Sequence, residues 1–65
     1  MNPEYNQYFE MANTLHSQYR DVFCLQLKNQ FDLAYESATF HLQLNNLIQA
    51  KLELNIMSNM ISQYT

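Results

Sequence analysis

Apolar residues recur along the first third of the chain at spacings of three and four: Tyr5, Tyr8, Ala12, Leu15, Tyr19 and Val22, with Phe9 and Phe23 widening the row. Such a row covers one side of an α-helix. Asn2, Pro3 and Glu4 suit its start. Asparagine caps free amides, proline is tolerated at the first helical position, and glutamate favours the positive end of the helix dipole. A first helix is expected over about residues 3–28.

The next break is weakly marked, because the chain contains no glycine. The stretch KNQFD offers Lys28 near a C-terminus, Asn29 able to turn left-handed, and Asp32 as the next cap. A turn is expected at about residues 29–32 and a second helix over about 33–62, with a further possible interruption at Asn45-Asn46. One uninterrupted helix is the alternative. Strands compete locally, since residues 40–44 and 50–56 alternate apolar and polar. No Asn-Gly or Asp-Gly pair is present to close a hairpin, and β-branched residues are few. The expected fold is all-α: an antiparallel helical hairpin.

Residues 47–61 carry nine apolar side chains in fifteen, more than one neighbouring helix covers. At about 100° per residue, Leu47, Ala50, Leu54, Met57, Ile61 and Tyr64 form one seam. Ile48, Leu52, Ile56 and Met60 form a second, with Lys51, Asn55, Ser58 and Ser62 as a polar stripe between them. The first helix covers one seam and leaves the other wet. Two hairpins pairing into a four-helix bundle would cover both. A three-helix monomer is the alternative, with a thin core.

Length sharpens this expectation. A chain of 65 residues forms one domain, and domains so small usually need a staple. The single cysteine, Cys24, allows no internal disulfide and is expected to be a buried structural thiol. Association remains as the staple. The formal charge is only −3, while asparagine and glutamine fill fifteen positions. Coding bias in an AT-rich genome is one reading of that excess; the physical effect is a surface that repels copies of itself weakly.

Candidate chemistry is sparse. His16 and His41 lack the i, i+4 spacing of a helical metal site and have no cysteine pair to join. A glycine-free chain has no tight loop for an oxyanion pocket or a phosphate cradle. No enzyme, metal or cofactor is expected. The tyrosines and phenylalanines of the first helix resemble a base-stacking platform, but Glu4, Glu10 and Asp21 stand beside them where such platforms need cations. Only Arg20, Lys28 and Lys51 are basic, so no nucleic-acid binding is expected. Six scattered carboxylates, Glu4, Glu10, Asp21, Asp32, Glu36 and Glu53, are too few for a persuasive DNA mimic. No basic leader segment and no apolar run of about 20 residues occurs, so a cytoplasmic protein without a membrane span is expected.

The expected function is that of a small protein–protein interaction module: an adaptor, inhibitor or chaperone-like protein of a phage or bacterium. Its partners would be itself, as a dimer or tetramer, and another protein. Ile48, Leu52, Ile56 and Met60, with Tyr5, Tyr8 and Tyr19 as aromatic anchors, would form the binding surface. A structural subunit packing by its helices into a larger oligomer or filament is the alternative.

Overall fold

Residues 20–24 end the first helix nine residues before the expected turn. In a computed structural model describing residues 3–64, α1 spans Pro3–Tyr19, α2 Leu25–Gln43 and α3 Leu47–Tyr64. Asn2, the expected cap of α1, lies outside the described residues. Helices hold 92% of those residues, and there is no strand among them. The all-α class is as expected, but the hairpin is made by α2 and α3, and α1 packs against both as a third helix.

Phe23 causes the early break. A tight 3-10 turn at Arg20–Val22 leads into extended backbone at Phe23 (ψ 150°) and Cys24 (ψ 165°). This swings the Phe23 ring inward until it is only 8% exposed, 4.8 Å from the ring of Phe31. Val22, expected on the buried row, faces out instead. Cys24 is exposed rather than buried, and its carbonyl accepts the first bond of α2 from the Lys28 amide. Lys28 also reaches Asp21 across the corner at 3.3 Å.

Residues 29–32 lie inside α2, and the turn expected there does not form. Asparagine and aspartate are poor but tolerable helix-interior residues, each costing under about 1 kcal/mol relative to alanine. Asp32 turns its carboxylate to α1 instead of capping a helix.

The break at Asn45-Asn46 is real, and each asparagine has a distinct task. Asn45 is left-handed, with φ of 62°. Its amide donates to the Leu42 carbonyl and that of Asn46 to His41, closing α2 in a Schellman motif. The Asn46 side chain then accepts the Gln49 amide at 3.3 Å and caps α3. One dipeptide both stops a helix and starts the next.

The bundle measures 36 × 15 × 15 Å. Phe31, Leu42 and Met57 are its largest fully buried side chains, joined by four buried alanines, Ala12, Ala34, Ala38 and Ala50. Tyr8, Leu15, Tyr19, Leu27, Tyr35 and Ile61 pack around the core cluster.

Two predictions follow from the joints. Phe23→Ala should lower stability by about 3 kcal/mol in urea unfolding, while Val22→Ala changes it by less than about 0.5 kcal/mol. Equal effects would mean that Phe23 does not set the corner. Asn45→Gly should leave stability level or slightly higher, and Asn45→Ala should lower it by about 1 kcal/mol, the cost of a left-handed backbone with a Cβ.

Candidate protein-binding surface

Helix α3 sends its apolar residues to two sides. Ala50, Leu54 and Met57 are buried and Ile61 packs on the core, while Leu47 is half-buried and Tyr64, in the last turn, is exposed. On the other side Ile48 is 78% exposed, Leu52 52% and Ile56 47%. Their four-residue spacing sets them in one slowly winding row, with no helix of the described chain over it.

Met60 departs from that row: it is buried and belongs to the core cluster. It lies about 40° further round the helix than Ile56, on the side of Met57, which is enough to carry it inward. The exposed row is therefore three residues long, not four.

The expected aromatic anchors sit at the rim of the core. Tyr8 and Tyr19 pack against it half-buried. Tyr5, also half-buried, meets the Phe9 ring edge to face at 4.9 Å. Tyr8 also lines a shallow groove of about 250 Å³ between α1 and α3, with Met11, Lys51, Leu54, Asn55 and Ser58. The Lys51 ammonium lies 3.3 Å from the Glu4 carboxylate and 5.4 Å from the centre of the Tyr8 ring. Hydrogen bonds to Glu4, and then to Tyr8, raise its pKa above the ordinary 10.5. A raised lysine pKa stabilises the fold below the unfolded value, and that support is lost as pH climbs through the folded one. The groove's cation is thus already engaged by its own chain throughout the neutral range.

The two histidines stay apart in role. His16 donates from Nε2 to Asp32 at 2.6 Å and lies flat against Tyr35, ring centres 3.9 Å apart. The Tyr35 hydroxyl donates to Asn13. These four side chains clasp α1 to α2. His41 donates from Nδ1 to the Ser37 carbonyl one turn earlier in α2, at 2.8 Å. Among the described residues no three of His, Cys, Asp and Glu gather as metal ligands would. No described helix is long and apolar enough to cross a membrane.

A second exposed row went unread in the sequence. Leu33 is 65% exposed, Phe40 56% and Leu44 61%. With Ser37 they are spaced four, three and four, the spacing of a coiled-coil seam. The misplaced turn at residues 29–32 and the strand-like alternation of residues 40–44 hid it.

These rows are not the mark of a loose chain. The accessible surface is 4391 Å², against about 4,400 Å² expected of a compact folded chain of this length.

The clasp gives a further prediction. In a double-mutant cycle of His16→Ala and Asp32→Ala, the coupling should be about 1 kcal/mol, the range for a partly buried, charge-assisted bond. Additive single effects would show that the bond contributes nothing to docking α1.

Comparisons with family models, with curated proteins and with solved structures return no match to this chain.

Proposed function

We propose that this chain is a non-enzymatic protein–protein interaction module that works by laying the apolar row of α3 against another helix, and that it associates with itself as a dimer or tetramer. The exposure of Ile48, Leu52 and Ile56 on one side of a helix already packed on its other side carries this reading. Fully burying an aliphatic side chain of this size is worth roughly 1.5–3 kcal/mol, and at 78%, 52% and 47% exposure the three together offer a partner helix somewhat under two such contributions. The surface offers little resistance: Lys28, Lys51 and Arg20 each face a carboxylate of their own chain, and the formal charge is −3. The module would serve as an adaptor, inhibitor or chaperone-like protein of the cytoplasm.

A second reading, a subunit of a larger helical assembly, draws on Leu25 and Val22. They are 76% and 55% exposed, at the end of α2 away from the Asn45 turn. Apolar groups at both ends of a rod would let copies add without closure. Light scattering over a concentration series separates the two, because a closed oligomer reaches a plateau and a filament keeps growing.

Charge placed on α3 tests the first reading. Leu52→Glu and Ile56→Lys should keep the helical circular dichroism of the wild type and sediment as smaller species, since association would bury an unpaired ion at a cost of several kcal/mol. Leu54→Glu, on the buried side, should unfold the bundle. Variants at Leu52 and Ile56 that associate as tightly as the wild type would rule out the α3 row as the contact.

A further inference from the structure

The rows on α2 and α3 lie on one face. On α2, the residues that meet α1 are Asp32 and Tyr35. At about 100° per residue, Leu33, Phe40 and Leu44 point about 130° round the helix from them. On α3, the residues that meet α1 or line its groove are Lys51, Leu54, Asn55 and Ser58. The row of Ile48, Leu52 and Ile56 points about 110° round from those. On each helix that shorter way round crosses exposed polar positions, Glu36 and Gln43 on α2 and Asn55 and Ser62 on α3. The longer way crosses the buried side packed on the hairpin, Ala34 and Ala38 or Ala50 and Met57, and each row begins where that packed side ends. Both rows therefore open on the side of the hairpin that α1 leaves bare.

They also share one end. Leu33–Leu44 covers about 17 Å of the second half of α2, and Ile48–Ile56 about 12 Å of the first half of α3. The Asn45-Asn46 turn joins those two halves. The six side chains thus form a single patch beside the turn. We propose that this two-helix patch, resting on the α3 reading above and extending it to α2, docks against the same patch of a second copy across a twofold axis.

Area favours that occupant. With about 200 Å² for a large apolar side chain in full exposure, the exposures of the six come to roughly 700 Å². The largest apolar patch on an ordinary monomer is about 300–600 Å², and a stable interface buries about 800 Å² on each partner. The patch nearly fills that requirement before any rim is added. Charge favours it as well. Ser37 and Asn59, which fall within about 40° of the two rows, are neutral, and Glu53, on the α2 side of the α3 row, accepts a hydrogen bond from Gln49 of its own chain. A twofold interface sets a patch against itself, so a charge there would meet its own like. A patch with few charges, its Glu53 carboxylate already bonded within the chain, suits a copy of this chain better than a strongly charged partner.

Sedimentation equilibrium of the full chain, from micromolar to millimolar, tests the proposal with Leu33→Glu, Phe40→Glu, Leu52→Glu and a control, Leu25→Glu. Leu33, Phe40, Leu52 and Leu25 are all more than half exposed, and circular dichroism verifies that each variant stays folded. The expected result is a wild-type dimer whose dissociation constant rises about a hundredfold or more in Leu33→Glu, Phe40→Glu and Leu52→Glu and stays within about threefold in Leu25→Glu. A dimer broken by Leu52→Glu but not by Leu33→Glu or Phe40→Glu overturns the two-helix patch and leaves the α3 reading standing. A dimer broken by Leu25→Glu places the contact at the other end and overturns it too. A wild type that stays monomeric at millimolar concentration excludes the second copy, leaving the α3 row to a foreign helix.

Discussion

Four alanines, Ala12, Ala34, Ala38 and Ala50, are buried on the three helices, and Ala12, Ala34 and Ala38 belong to the core cluster that all three build. A helix axis approaches its neighbour to about 8–10 Å depending on the side chains between them, and alanine allows the near end of that range. Close approach makes the bundle narrow, 15 Å across its two short axes. A narrow bundle has little interior. Phe31, Leu42, Leu54 and Met57 take up much of it, and Leu33, Phe40, Ile48, Leu52 and Ile56 are left largely on the outside. The exposed patch is thus the counterpart of the close packing. A chain of this length that draws its helices together through alanine cannot also enclose Leu33, Phe40, Ile48 and Leu52.

The long-period features of this architecture could be read from the sequence, and the joints could not. The two-sided pattern of residues 47–61 foretold both the buried seam and the wet one, because the apolar residues of a helix report which sides are covered. It erred at Met60 and Tyr64, where a difference of about 40° or one turn decides between core and water. The corner at residues 20–24 carries no glycine, proline or asparagine. Its cause is the distant ring of Phe31, and no local signal announces a distant partner. The converse error occurred at Asn29 and Asp32, which look like turn residues. His16, sixteen positions away from Asp32, gives that carboxylate a different use. Asn45-Asn46 was legible because both of its tasks are local to the backbone.

Charge and amide are divided between two roles. The basic side chains and several of the carboxylates are engaged within the chain: Lys51 with Glu4, Lys28 with Asp21, His16 with Asp32. What is left facing outward along α2 and α3 is mostly leucine, isoleucine, asparagine, glutamine and serine. Such a surface is wetted well enough by its amides, yet holds few charges that would keep similar surfaces apart. Polar composition and apolar association are compatible here because the polarity is neutral.

The Asn45-Asn46 turn also governs the order in which the molecule assembles. It joins α2 to α3 by so short a link that the contacts between them are close in sequence, and contacts of that kind form early, with little chain entropy lost in closing the loop. Helix α1 joins α2 through the short corner at residues 20–24 but buries only Ala12 completely. Burial thus favours the hairpin as the unit that holds together longest, and α1 as the least costly element to release in the folded state. Its release would open the stack of His16 on Phe31 and Tyr35 while leaving the hairpin intact, so the chain can loosen at one side without forgetting its fold at the other.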